Sequence, residues 1–307
     1  MGNQAGFRAG LSRRWWIAGL IVIGLVIAIL GTVAWVGSER ALNPDFRETP
    51  WGVEDFPELG FEEISFESDT GVTLEGRFFP GEHEATVIAL HGFSERQDQV
   101  LPKAEMLTEA GFNVLSYNGR HPVYGDGIYS TLGVLEREDL VSAVDYLVHQ
   151  RDDVDPDRIG AYGISLGGAT VLLGAELDPR IRAVVAEAAF SDAQSVVDSS
   201  FERYIGLPSF PFSQVTRAVA EWRAGAKLVD AQPIDAIAAV DDRPILLIHG
   251  LADESVPPDH SERNLAAAGD NVEIWWVPDA GHTDAHIIAG DEYRDRLTEF
   301  FSVHLLR

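Results

Sequence analysis

The sequence contains no cysteine and almost no lysine. Without thiols there is no disulfide framework, no thiolate nucleophile and no cysteine metal cluster, so a folded domain has to be held by packing alone. With 307 residues, 46% of them hydrophobic, the chain has enough apolar side chains for that. Lysine occurs only at Lys103 and Lys227, and 23 basic residues in all face 49 acidic ones, a formal charge of −26 at pH 7. Such a balance excludes the basic footprint that nucleic-acid binding needs. Neither a G-x-x-x-x-G-K nor a G-x-G-x-x-G loop stands at a strand-to-helix junction, so no nucleotide cofactor is expected, and internal repeats and low-complexity tracts are absent as well. The opening MGNQAG has Gly6 where a myristoylation signal requires Ser or Thr.

Charge is also missing from one long stretch. Residues 15–37 are continuously apolar, and about 20 such residues span a bilayer. The run is longer than the apolar region of a signal peptide and lacks a following A-x-A site, so a retained transmembrane helix is expected. Trp15, Trp16 and Trp35 lie near its ends, where indole rings favour the membrane interface. Arg8, Arg13 and Arg14 precede it and the first acid of the chain is Glu39, which orients residues 1–14 as a cytoplasmic tail and the remainder outside the cytoplasm. That exported part carries a charge of about −29, read as a solvated acidic surface that keeps away from anionic headgroups. Residues 38–59 mix acids with Pro44, Pro50 and Pro57 without a period and read as a linker.

From residue 60 onward the rhythm is that of a folded domain. FEEISFES and VTLEGRFFP flank Asp69-Thr70-Gly71 and predict an opening antiparallel hairpin. Short apolar runs then alternate with amphipathic stretches: TVIALHG, NVLSYN, RIGAYGI, IRAVVAEAA, RPILLIHG and VEIWWVPDAG, each separated by a predicted helix. This alternation implies an α/β class domain, a doubly wound, mostly parallel sheet over residues 60–307. Residues 190–240 break the pattern with a helix-rich insertion bearing Phe201, Tyr204, Phe210, Phe212 and Trp222, expected either to cap the site or to pack as an ordinary crossover.

The chemistry concentrates in Gly163-Ile164-Ser165-Leu166-Gly167, between a predicted strand and a predicted helix. That is the context of a nucleophile elbow, in which the elbow glycines Gly163 and Gly167 permit a tight turn that presents the Ser165 hydroxyl. A serine hydroxyl needs a base and an orienting acid, expected in the order Ser, acid, His. Asp253, after RPILLIHG, and His282, after VEIWWVP, fill those places, with Glu254 as a rival acid and His249, His260 and His286 as rival bases. His91-Gly92-Phe93 follows another strand, so the backbone N–H groups of Phe93 and Leu166 are the candidate oxyanion hole and His91 a structural side chain. His282 and His286 are four apart with Asp284 between, but Thr283 stands where a zincin needs Glu, and no metal is expected.

Taken together, the HGF loop, the GISLGG elbow, HGLADESVP and AGHTD resemble an α/β-hydrolase. The segment YGDGIYSTLGVLEREDLVSAVDYL is similar to the BEM46-like or prolyl-oligopeptidase-related hydrolases, and the likeness runs from about residue 60 to the C-terminus. One departure is Tyr117-Asn118-Gly119-Arg120-His121-Pro122, where relatives carry an Asp-x-Arg-Gly-His-Gly loop, and it is expected to alter a wall of the site. The resemblance implies a serine hydrolase acting on a small-molecule ester, lipid or peptide substrate; the apolar run is expected to hold it at the membrane, and no cofactor is expected. Carboxylesterase action ranks first; thioesterase, peptidase and a noncatalytic anchored binding domain remain the alternatives.

Overall fold

The apolar runs fold as strands of one sheet. In the computed structural model, which describes residues 5–124, 128–240 and 242–307, β1 (Glu62–Glu67) and β2 (Thr73–Phe79) form the opening hairpin. Gly71 at its turn has φ +80°, a conformation glycine adopts without strain. β3 (Thr86–Leu90), β4 (Asn113–Tyr117), β5 (Ile159–Ile164), β6 (Ile181–Glu187), β7 (Ile245–Gly250) and β8 (Val272–Val277) follow in chain order. The sheet order is β1-β2-β4-β3-β5-β6-β7-β8, antiparallel at both edges of β2 and parallel from β4 to β8. Because β3 lies between β4 and β5, the order reverses there, and open α/β sheets form their crevice beyond the carboxyl ends of strands at such a switch point.

The helices are α1 (Ala5–Leu42), α2 (Leu101–Glu109), α3 (Glu136–Gln150), α4 (Leu166–Leu177), α5 (Ala193–Ser200), α6 (Ser209–Ala224), α7 (Pro233–Ala239), α8 (Asp259–Ala267), α9 (Ala285–Ala289) and α10 (Asp291–Leu305). Alternate residues of a strand face opposite sides, and the core divides accordingly. Ile88 and Leu90 of β3 pack with Leu140, Val171 and Ile237 from α3, α4 and α7. Val87 and Ala89 pack with Leu101 of α2 and Leu297 of α10 on the other face. This is the doubly wound arrangement expected from the alternating pattern.

Two segments differ from expectation. Residues 38–59 do not form a free linker: α1 continues to Leu42, and the coil that follows lies against the domain. Trp51, Val53, Phe56 and Leu59 pack on the α2–α10 face, and the Trp51 Nε1–H donates to the Asp98 carbonyl at 2.7 Å. Upstream of them, Phe46 stacks on His121 with ring centroids 4.0 Å apart, and His121 Nε2 bonds the Pro44 carbonyl at 2.8 Å. Each anchor fills a separate niche of an irregular chain, which is why no helical or strand period marks them. His121 thus belongs to the divergent loop noted above, which holds this coil while its Gly119, Arg120 and His121 border a cavity shared with Phe93 and Leu166.

The insertion is also narrower than residues 190–240. α7 packs on α4 and α8 with Ala236 and Ile237 fully buried, so it belongs to the helical layer on the sheet. What remains above the site is α5, a π-turn (Phe201–Ile205) and α6. Its aromatics divide: Phe201 is buried, whereas Phe210 and Trp222 are each 76% exposed. The Tyr204 side chain lies outside the described residues. α6 lies against the end of α1, where Gly37 meets Thr216 and Phe201 so closely that a Cβ would come 2.8 Å from the Thr216 methyl. Arg223 of α6 pairs with Glu39, donates to Ser38 Oγ at 2.9 Å and lies 4.6 Å over the Trp35 ring. The apolar helix is therefore joined to the cap.

Beneath the divergent loop, Arg120 Nε donates to Asp139 Oδ2 at 2.7 Å, with both side chains nearly inaccessible, and Ser68 and Thr70 hydroxyls donate to Asp139 Oδ1. Removing one member of such a buried pair strands the other's charge, at a cost of about 3–5 kcal/mol. Asp139→Ala should lower the denaturation midpoint of the full chain in detergent by a corresponding amount, and a midpoint within error of the parent would show that the pair is not structural.

Candidate active site

The elbow is built where β5 passes into α4. Ser165 has φ 57° and ψ −115°, a strained conformation for a residue with a side chain, and its N–H donates to the Glu187 carbonyl at 2.8 Å. The turn is tight enough that a Cβ on Gly163 would lie 2.1 Å from the Gly167 carbonyl oxygen, and one on Gly167 would lie 2.5 Å from that of Leu90. Both positions therefore demand glycine. Below the turn the buried Glu187 carboxylate accepts from the hydroxyls of Tyr162 at 2.7 Å and Tyr293 at 2.5 Å. This supporting carboxylate was not among the sequence candidates, and an acid at the end of an apolar strand was its only signal.

Asp253 follows β7 and His282 follows β8, so both stand at carboxyl ends of strands beside Ser165. His282 Nε2 lies 2.9 Å from Ser165 Oγ, and His282 Nδ1 lies 2.7 Å from Asp253 Oδ2. Asp253 Oδ1 accepts the N–H groups of Ser255 at 2.8 Å and Val256 at 2.9 Å. Burial on its own would raise the Asp253 pKa; hydrogen bonds from His249 and His282 outweigh it and hold the carboxyl below the usual range. His249 Nε2, which donates to the Val256 carbonyl at 2.9 Å, stands 3.4 Å from Asp253 Oδ2. That places this rival base behind the acid as a brace.

The other rivals are occupied elsewhere. The Glu254 carboxylate pairs with Arg203 on the surface. His260 Nδ1 receives the Ser191 N–H at 3.1 Å, and burial together with the Arg263 charge takes its pKa down to about 4. His286 Nδ1 accepts from Lys103 Nζ at 2.9 Å, and burial and then that ammonium push the ring to about 3. His91 Nε2 accepts the Gly119 N–H at 2.8 Å while its Nδ1 faces the Gly92 carbonyl at the same distance, and burial lowers it to about 4. It is a neutral strut that links the divergent loop to the loop carrying Phe93.

That loop abuts the elbow: a Cβ on Gly92 would lie 3.3 Å from Ser165 Cβ, and the Gly92 N–H is tied to Gln99 Oε1 at 2.7 Å. Among the described residues, the N–H groups of Phe93 and Leu166 meet no protein acceptor, and both residues border the cavity that Ser165 and His282 open into. This cavity measures about 400 Å³. Its apolar walls come from Leu132, Phe190, Val196, Phe201 and Val256, and its remaining side is α1, through Gly37, Arg40 and Ala41. The contribution of α1 was invisible to sequence reasoning, because nothing in an apolar run indicates that its last turns border a site. Among the described residues, no group of three or more His, Cys, Asp or Glu side chains converges as metal ligands.

Residues 100–306 match the prolyl oligopeptidase family. The chain is 28% identical over 294 residues to the uncharacterized protein YfhR of Escherichia coli (strain K12), covering 92% of each chain. It is 28% identical over 294 residues to the alpha/beta hydrolase domain-containing protein WAV2 of Arabidopsis thaliana, covering 90% of this chain and 89% of that one. Among solved structures, the Pyrococcus furiosus esterase Pf2001 superposes with a TM-score of 0.69 at 24% identity, over 86% of this chain and 99% of that one, which establishes likeness of fold.

Proposed function

We propose that this chain, which belongs to the prolyl oligopeptidase family of α/β-hydrolases, is a membrane-anchored serine hydrolase that cleaves a carboxylester through an acyl-enzyme. The observation that carries the reading is the unbroken hydrogen-bonded series Ser165 Oγ, His282, Asp253 at the edge of an apolar cavity. Ser165 Oγ attacks the carbonyl carbon while its proton passes to His282 Nε2. The oxyanion that forms accepts hydrogen bonds from the Phe93 and Leu166 N–H groups, each worth about 3 kcal/mol by analogy with measured donors. His282 then protonates the leaving alkoxide, the ester C–O bond breaks, and water repeats the sequence on the acyl-enzyme. Asp253 keeps Nδ1–H directed and stabilises the imidazolium.

An ester suits the cavity better than a peptide, since walls that are mostly apolar offer few partners for backbone N–H and C=O groups, which are costly to bury unpaired. The name esterase borne by the Pyrococcus furiosus neighbour agrees with this. For the anchor, support comes from the lipid-like exposure of α1, whose Trp16 is 76% exposed while Ala34, Ser38 and Leu42 are buried. Removing α1 as a signal peptide would strip a wall from the cavity. The arginines at positions 8, 13 and 14 orient the helix with its N-terminus cytoplasmic and the hydrolase domain outside.

A fluorophosphonate probe tests the chemistry directly. Folded wild-type protein should be labelled and Ser165→Ala should not, whereas an unlabelled but folded wild type would exclude the serine mechanism in favour of an anchored binding domain.

A further inference from the structure

The position of the cavity relative to α1 bears on where the substrate comes from. Gly37, Arg40 and Ala41 are spaced i, i+3, i+4 and so share one face of the helix, which borders the cavity. Gly37 is also the last residue of the apolar run, and Trp35 and Val36 just before it are exposed. At about 1.5 Å per residue, the cavity wall begins within one helical turn of the point where the hydrocarbon-spanning segment ends. On the cap, Trp222 is 76% exposed next to Arg223, which lies over the Trp35 ring. The exposed indole of Trp35, at the end of the apolar run, is a side chain that a membrane interface accommodates.

The charge at the same place runs against the rest of the molecule. The chain carries −26 overall, yet the two charged residues bordering the cavity on the α1 side are Arg40 and Arg47. Both are exposed, and Glu39, the acid next to Arg40 in the chain, is paired with Arg223. Burial raises the Glu95 carboxyl above its usual range, and the Arg47 charge opposes that rise, which places Arg47 close to this side of the site. Arginine forks bind phosphate oxygens in two-point contacts.

We infer that the substrate is a membrane-resident acyl ester with an anionic phosphate headgroup, drawn from the bilayer along α1. The inference rests on the serine-hydrolase and anchor readings above. Its acyl chain occupies the apolar cavity, its ester carbonyl meets Ser165, and its phosphate lies at Arg40 and Arg47. Hydrolysis breaks the acyl C–O bond; the headgroup alcohol leaves with the proton from His282, and water releases the fatty acid.

The test uses the full chain in phosphatidylcholine vesicles. Fatty-acid release is measured from lysophosphatidylglycerol and lysophosphatidylcholine of equal chain length, from a water-soluble short-chain acyl glycerophosphate, and from p-nitrophenyl butyrate, with fluorophosphonate labelling of Ser165 alongside. Wild type should favour lysophosphatidylglycerol, and the double variant R40E/R47E should lower its rate relative to lysophosphatidylcholine at least tenfold, with R40K/R47K recovering most of the preference. Ala41→Phe, which adds bulk on the α1 wall, should shift the preferred acyl length downward. An unchanged ratio in R40E/R47E overturns the headgroup assignment. Equal turnover of the soluble acyl glycerophosphate overturns uptake from the bilayer. Labelled protein that cleaves p-nitrophenyl butyrate and neither lipid overturns the inference while the hydrolase reading stands; absence of both labelling and ester cleavage takes down both.

Discussion

His282→Ala should lower kcat on a soluble aryl ester by about 10⁶-fold, as far as Ser165→Ala does, because nucleophile and base act as one unit and neither retains value without the other. Its imidazole has one nitrogen 2.9 Å from Ser165 Oγ and the other 2.7 Å from the Asp253 carboxylate. His286→Ala supplies the contrast. That ring is buried against Lys103, which burial has already brought down to about 8, so its removal leaves an ammonium without its acceptor. The cost should fall on stability, with labelling by fluorophosphonate retained in whatever fraction is folded. Burst and steady-state kinetics on the two single variants decide the matter: normal turnover in His282→Ala with loss in His286→Ala would reverse the assignment.

The candidate site was legible to the extent that each of its parts is local. An elbow is a five-residue pattern between a strand and a helix, and Asp253 and His282 each follow an apolar strand, so one-dimensional order was enough to nominate them. The sheet was legible for the same reason, since strands buried on both faces read as short apolar runs. What stayed hidden depends on contacts between segments far apart in the chain. Glu187 braces the elbow through hydroxyls of Tyr162 and Tyr293, and no spacing links those three. His249 looked like a rival base until its ring was seen to donate to the Val256 carbonyl beside Asp253.

The N-terminal region is the largest departure. A membrane helix and a proline-containing acidic stretch suggest a tether with a domain swinging below it. Yet the end of α1 is fixed to α6 through Gly37, Ser38 and Glu39, and the following coil is pinned by Phe46 and Trp51. Helix propensity, apolarity and proline content carry no information about docking of this kind, because one glycine contact and one arginine cluster leave no period. The consequence is mechanical: the domain is fixed against α1, and one side of the cavity is set by the sequence of that helix.

Asp253→Asn should retain the fold and lose about 10⁴-fold in kcat, because a neutral amide can neither compel Nδ1–H on the imidazole nor stabilise its positive form. The native carboxylate is well supported for that work. Its Oδ1 takes two backbone N–H groups and its Oδ2 takes His282, with His249 at 3.4 Å, so that despite burial its pKa is held below the ordinary carboxylate value. For a depressed folded pKa, the stabilising contribution is complete above the unfolded carboxylate value and is lost only as pH falls through the lower folded one. Asp253 is therefore ionised at neutral pH and stays so as pH falls into the ordinary carboxylate range. In Asp253→Asn the amide presents either its oxygen or its NH₂ to Nδ1; in the second case Nδ1 becomes the acceptor and Nε2 carries the proton, leaving nothing to receive that of Ser165. Activity in the variant should then recover in part at alkaline pH, where hydroxide replaces the missing base, while the wild type reaches a plateau. Turnover within tenfold of wild type at neutral pH would show that Asp253 only packs against the ring.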